Sequence, residues 1–341
     1  MPKRGLIPHW RDMQILGGFY AVPLIVVLVL GLGGALVYRL RTTQAVTTPS
    51  LAPAPIDGER AYGYLKQVCD LGPRPAGSAA NARQRQMVAQ HFTKYGATVR
   101  EQPFSGIDPR SGARVDMVNL IGAWHPDRTR RVVLGVHYDS RPFPDREKDP
   151  ARRQIPYLGA NDGGSGVALL MEIAHHLNDL PTTWGVDLVL FDGEDLVYAE
   201  NGEYCLGSKE FARVYTGALE TRRGAPRYDA ALVLDMIGDK NLAIEQEQYS
   251  LNFAPRLVQE VWSVARPRKG GAVRNHVGPA VNDDHLPLNN AGIPAIDLID
   301  FRPPPTWHMS HDLPDQCSAN SLEQVGKVVT AWLALHRSQK R

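Results

Sequence analysis

Several short stretches of this chain carry side chains able to hold a metal ion or move a proton. They are Gly135-Val136-His137-Tyr138-Asp139-Ser140, Gly159-Ala160-Asn161-Asp162-Gly163-Gly164-Ser165-Gly166, Phe191-Asp192-Gly193-Glu194-Asp195, Leu234-Asp235-Met236, Asp283-Asp284-His285 and Thr306-Trp307-His308. Singly, each has an ordinary explanation. A His-x-Asp pair at a strand end is commonly just hydrogen-bonded, and an Asp before a glycine-rich turn commonly caps a helix. Adjacent acids such as Glu194 and Asp195 usually face water, and a tryptophan such as Trp307 usually packs in a core. Together they place an imidazole or carboxylate after nearly every apolar run. Burying so many uncompensated carboxylates would cost several kcal/mol each, so a cation is their natural partner. Oxygen and imidazole ligands without cysteine suit Zn²⁺ in a catalytic site with one open position. The chain has no His-Glu-x-x-His helix, no phosphate loop and no Gly-x-Ser-x-Gly elbow, which excludes those chemistries by motif.

The elements that must position these residues are apolar runs bounded by turn residues: Arg131–His137, Val186–Phe191, Ala230–Met236 and Ala295–Ile299. Short continuous runs of this kind suit strands covered on both faces. Extended segments are expected at Thr98–Phe104 and Val115–Trp124, and helices at Glu59–Asp70, Ala79–Tyr95, Gly164–Asn178, Pro255–Ala265 and Ser321–His336. The alternation predicts an α/β fold: a three-layer sandwich with a mixed, mostly parallel central sheet flanked by helices, with its site at the strand C-terminal ends.

The 341 residues are 43% hydrophobic and 22% charged, an ordinary globular balance. Residues 1–41 hold Lys3, Arg4, Arg11, Arg39 and Arg41 against Asp12 alone, so the remainder carries 33 basic and 35 acidic residues. That near-balance argues against a nucleic-acid partner. Leu16–Tyr38 contains no charge and is long enough, at about 1.5 Å per residue, to span a hydrocarbon core of roughly 30 Å. The expected organisation is a short cytoplasmic N-terminus (1–15), a transmembrane anchor (16–38), a flexible Thr/Pro/Ala linker (39–56) and a single catalytic domain (57–341). The slight basic excess before the span biases that domain to the extracytoplasmic side. Cys69, Cys205 and Cys317 are too few and scattered for a disulfide scaffold, although one pair among them is open.

These residues resemble the zinc-dependent aminopeptidase superfamily and, within it, the glutaminyl cyclases of the animal and bacterial zinc type, from about Tyr62 to Leu335. The resemblance implies zinc ligands at Asp162, Asp195 and His308, a catalytic glutamate at Glu194, and two proton-sharing aspartates at Asp235 and Asp283. Trp307 would wall the substrate pocket. Tyr198 stands near where some members carry a second pocket tryptophan, and is expected to supply that wall. The implied reaction cyclises the N-terminal glutamine of a peptide or protein to pyroglutamate with release of ammonia, using one zinc per chain. The nearest alternative is a two-zinc aminopeptidase in which His137 and Asp235 hold the second ion and Asp162 bridges. A third reading is a non-catalytic binding ectodomain of the same fold. Ligand types alone do not separate the two enzymes.

Overall fold

The four apolar runs form the middle of the sheet. The computed structural model describes residues 53–198, 202–267, 271–302 and 306–336. Strands β1 (Thr98–Ile107), β2 (Arg114–Trp124), β3 (Arg130–His137), β4 (Gly185–Phe191), β5 (Arg227–Asp235) and β8 (Ala295–Ile299) make one sheet in the order β1-β2-β4-β3-β5-β8. β4, β3, β5 and β8 run parallel, while the β1–β2 hairpin joins the β4 edge antiparallel. Two short strands, β6 (Ile244–Gln246) and β7 (Val273–Val277), pair separately.

Alternate side chains of the central strands point to opposite faces, and both faces are apolar. Val132, Leu134, Val136, Leu188, Leu190, Leu232 and Leu234 enter the larger core. That core is closed by helices α1 (Gly58–Asp70), α2 (Ala79–Lys94), α3 (Ser165–Ala174), α6 (Pro255–Ala265) and α8 (Ala319–Leu335). Val133, Val189, Phe191, Ala231 and Val233 point the other way, against Phe211 of α4 (Leu206–Thr221) and Leu288 of α7 (His285–Asn290). Gly135 in the middle of β3 leaves room for Phe191, whose ring carbon lies 2.6 Å from where a Cβ would stand. The three-layer sandwich thus follows from strands buried on both faces. Helices α4 and α7, the short α5 (Gln248–Phe253) and the β6–β7 pair lie outside the segments anticipated from the sequence.

Capping fixes where the helices begin. Asp57 accepts the Arg60 N–H at 3.0 Å at the start of α1, Ser78 accepts that of Asn81 at 3.1 Å, and Ser318 accepts that of Ser321 at 3.1 Å. The ordered fold starts before α1. Ala54 and Ile56 are buried in the larger core, and the Ala54 N–H donates to Thr330 Oγ1 at 3.2 Å. The end of the expected linker is therefore part of the domain, because its two apolar side chains find a place between α1, α3 and α8. The expected anchor, residues 16–38, lies outside the described residues; among those described, no helix is long and apolar enough to cross a membrane. All three cysteines are buried and free.

The chain passes from β3 to β4 on one side and then crosses to β5 on the other. Strand order therefore reverses at β3, which opens a crevice above the C-terminal ends of β4, β3 and β5. His137 ends β3, Glu194 and Asp195 follow β4, and Asp235 ends β5.

Candidate active site

Asp162 is the hub of the crevice. It sits in a kinked turn, Ala160–Gly164, before α3, with non-helical backbone at Asp162 and Gly163. Gly163 has φ +80°, and a Cβ there would come within 2.8 Å of the His137 ring. Only glycine lets this turn lie so close to the end of β3. The turn is fastened by Asp312, whose carboxylate accepts the N–H groups of Asn161 at 2.8 Å and Asp162 at 3.1 Å. The Tyr157 hydroxyl lies 3.0 Å from Asp162 Oδ2 and 2.9 Å from Asp312 Oδ2.

Asp162, Asp195 and His308 bring one ligand atom each within 4.8 Å of one another, all buried. His308 Nε2 is 3.6 Å from Asp162 Oδ2, too far for a hydrogen bond. It is close to the spacing of about 3.3 Å that two tetrahedral ligands of one zinc keep. Asp195 Oδ2 is buried without a hydrogen-bond partner. Asp195 Oδ1 is held by Arg141, which also donates to Asp145 at 2.9 Å, and Asp145 Oδ1 lies 3.2 Å from His308 Nδ1. An orphaned carboxylate oxygen, an imidazole nitrogen at ligand distance and anchored rear atoms fit a divalent cation. Burial, opposed by Arg141 and reinforced by Asp162, pushes Asp195 up to about 7 in the protein's own field. A carboxylate so disfavoured as an anion is the kind a metal ion stabilises.

His137 faces the other side of Asp162. Its Nε2 lies 3.1 Å from Asp162 Oδ1 and 3.2 Å from Asp235 Oδ1. These three residues form a second buried group with ligand geometry, so Asp162 stands between two candidate sites. Burial works against charge on His137, but Asp139, Asp162 and Asp235 outweigh it and hold its pKa well above the ordinary value. Asp235 is raised to about 6, chiefly by burial, with His137 opposing.

Glu194 and Asp195 are aimed from behind by one residue. Asp139 accepts the Glu194 N–H at 3.1 Å and the Asp195 N–H at 3.0 Å. The pair thus turns inward from the strand end rather than facing water. Burial first, and then Asp195, raise Glu194 well above the usual carboxylate value, with Asp283 and Asp284 adding and His137 opposing. A carboxyl so placed can accept a proton from a substrate amine and return it. Asp283 shares a third compact group with Glu194 and Cys205, and its Oδ2 has no hydrogen-bond partner. The Cys205 sulfur lies 3.8 Å from Glu194 Oε1, and burial pushes the thiol well up, so it packs as a neutral group.

A cleft of about 390 Å³ holds Asp162, Glu194, Asp195, Asp235, Asp283 and His308, with Trp307, Phe301, Ile299, Val281 and Tyr204 on its walls. The Trp307 ring packs edge-on to Phe301 at 4.8 Å and carries the Arg146 guanidinium at 4.1 Å. His308, Met236 and Cys205 have φ between +47° and +63°, left-handed values that are costly for side-chain-bearing residues and gather at this cleft. Tyr198 is placed elsewhere. Its hydroxyl donates to Asp108 at 2.8 Å, which draws the ring toward the β1–β2 hairpin and onto a neighbouring cleft. The wall expected from Tyr198 is supplied by Tyr204 and Phe301 instead.

The structure therefore brings Asp162, Glu194, Asp195, Asp235, Asp283, Trp307 and His308 to one cleft, with His137 beneath Asp162 and Tyr198 outside it. Four residues outside the expected ligand and catalytic set, Asp139, Arg141, Asp145 and Asp312, orient its members. For Asp139 the His-x-Asp spacing was a usable signal; the other three carry none that is local.

The profile of peptidase family M28 matches residues 119–333. The chain belongs to this family. Among solved structures it is 38% identical to the glutaminyl cyclase of Fimbriiglobus ruber, over 83% of this chain and 96% of that one, with a TM-score of 0.79. It is 32% identical to a leucine aminopeptidase precursor from Bacteroides thetaiotaomicron, over 85% of this chain and all of that one, with a TM-score of 0.76. A glutaminyl-peptide cyclotransferase-like protein from Mus musculus is 24% identical over 312 residues, 82% of this chain and 76% of the mouse protein. The M28 match spans β2 to α8, and so includes every residue of the cleft.

Proposed function

We propose that this chain is a zinc-dependent glutaminyl-peptide cyclotransferase, acting on the N-terminal glutamine of peptides or proteins. The observation that carries the reading is the likeness to the Fimbriiglobus cyclase across nearly all of both chains, with Glu194 beside Asp162, Asp195 and His308 in a tryptophan-walled cleft.

Asp162, Asp195 and His308 would hold the zinc, which when bound would supply a Lewis acid for the side-chain amide oxygen. The chain's own groups do the rest. Trp307 and Phe301 cover the folded glutamine side chain and exclude water around the amide carbon. Glu194 accepts the proton of the α-amine as the nitrogen bonds to that carbon, and returns it to the side-chain amide nitrogen as the carbon–nitrogen bond breaks and ammonia leaves. The negative charge of Asp283 adds to the raised proton affinity of both Glu194 and Asp235, and Asp235 would orient the transfer.

The second reading is a two-zinc aminopeptidase, favoured by the ligand-like grouping of His137, Asp162 and Asp235. Incubating the protein with a glutaminyl peptide separates them: cyclisation yields a full-length peptide lacking ammonia, whereas hydrolysis yields free glutamine. Free glutamine as the main product would replace the cyclase reading with the aminopeptidase.

Residues 16–38 support a membrane anchor by their length and lack of charge, with the catalytic domain outside the cytoplasm. Protease added to intact cells that degrades the domain supports that orientation, and recovery of the domain in the soluble fraction removes the anchor.

A further inference from the structure

Beside the catalytic cleft lies a second one, of about 600 Å³, open to solvent. It is lined by Arg110 from the β1–β2 hairpin, Phe143, Asp145 and Arg153 from the loop after β3, and Tyr198 from the loop after β4. The two clefts share a wall. Asp145 lines the second cleft while its Oδ1 lies 3.2 Å from His308 Nδ1 and its Oδ2 accepts from Arg141, the anchor of Asp195.

The charges of this cleft are unequal in availability. Asp145 is already matched by Arg141 and by His308. Asp108, at the rim, accepts from the N–H groups of Arg110 and Ser111 and from the Tyr198 hydroxyl. Glu147 on the same loop accepts from the Ser310 N–H and lies 3.6 Å from Arg152 Nε. The cations differ. The Arg110 guanidinium lies 5.5 Å from the Phe143 ring centroid and 5.7 Å from that of Tyr198, so two rings flank a cation on an exposed residue. Arg153 is exposed, and its Nε donates to the Glu147 carbonyl oxygen; among the described residues its terminal nitrogens have no hydrogen-bond acceptor.

A peptide whose first residue occupies the Trp307 cleft must send its following residues out of it. At about 3.3 Å per residue, one or two further residues cover the width of a side-chain wall such as Asp145. We propose that the Arg110–Phe143–Tyr198–Arg153 cleft is the binding site for the residues that follow the N-terminal one, and that it selects substrates carrying an acidic side chain at the second to fourth position. A carboxylate there meets the ring-flanked Arg110 in a charge-assisted pair. This rests on the cyclase reading and names the substrate class of the same site.

The test uses the purified full chain and glutaminyl peptides that differ only in carrying Glu, Ala or Lys at positions two to four, with glutaminyl β-naphthylamide as a substrate too short to reach the cleft. Cyclisation is followed by mass. The wild-type protein should turn over the Glu series with kcat/KM about tenfold above the Lys series, mostly through KM. Arg110→Glu, an exposed substitution, should invert that order, and Arg153→Ala should weaken it, while the naphthylamide rate stays unchanged. Equal kcat/KM for the Glu and Lys series, or an equal loss on the naphthylamide in Arg110→Glu, would overturn the assignment. If the naphthylamide and all peptides are hydrolysed rather than cyclised, it is the cyclase reading that has failed, and the charge series still reports on the cleft.

Discussion

Asp312 holds the backbone of Asp162: its Oδ2 accepts the Asp162 N–H at 3.1 Å while its Oδ1 accepts that of Asn161 at 2.8 Å. The two residues are 150 positions apart in sequence, yet one carboxylate sets the direction in which the hub ligand points. Asp312→Asn keeps the shape and loses one acceptor, and should weaken metal binding by about 10- to 100-fold, the range for outer-shell partners of a metal. Metal retention under competition with a chelator measures it; unchanged retention would mean that the turn holds itself.

His308→Ala should remove the bound zinc and lower activity by more than about a hundredfold, beyond the outer-shell range. Far-UV circular dichroism should barely change, because the sheet is closed by its own apolar faces. Full metal occupancy in this variant would discard His308 as a ligand.

The two candidate sites around Asp162 make metal stoichiometry informative. The cyclase reading expects one zinc per chain, with His137→Ala far milder than Asp162→Ala in activity. Two tightly held zincs, with His137→Ala as damaging as Asp162→Ala, would point to the hydrolase.

Glu172 on α3 is fully buried and accepts from Arg60 at 2.6 and 2.8 Å and from the Asp57 N–H at 2.9 Å. His176 lies 3.1 Å from it. Burial raises its pKa, but His176 and Arg60 prevail and hold it at about 2. A depressed carboxylate stabilises the fold above its unfolded value and loses that contribution as pH falls through about 2. Glu172→Gln should therefore destabilise the protein at neutral pH, by on the order of 2 kcal/mol. The difference from wild type should shrink from about pH 4.5 downward. Urea melts at pH 7 and pH 3.5 check this; a constant difference would assign the effect to packing.

The buried residues just ahead of α1 predict where the domain can be cut. A protein beginning at residue 53 should fold as stably as a longer one, whereas one beginning at 58 loses Ile56 and the Asp57 cap. That loss should cost about 2–3 kcal/mol. Equal denaturation midpoints would show that residues 53–57 rest on the surface without contributing.

Much of this was legible because the chemistry follows strand ends. Val186–Phe191 could only be a covered strand, so Glu194 and Asp195 had to emerge into a crevice; the same holds for Asp235 after its apolar run. Arg141, Asp145 and Asp312 were not legible, since each acts through a partner brought close by the fold alone. Tyr198 was misplaced because a sequence position after Glu194 does not say which way the ring turns, and the Asp108 carboxylate decides it. Ala54 and Ile56 sit in a stretch whose prolines read as spacer, yet two small apolar side chains were enough to dock it. Helix α4 has a mixed composition, and its burial rests on Gly207, Ser208, Phe211 and Ala212 rather than on a long apolar stripe.

Among the described residues, the hairpin that closes one end of the sheet leaves β1 with an unpaired outer border of ten residues. Such a border invites a second molecule to add its own strand. Here Arg100 and Glu101 place charge on it, and Pro103 in its middle has no N–H to offer. The charges and the proline thereby guard this border against sheet-to-sheet polymerisation, a hazard that grows when molecules are crowded together.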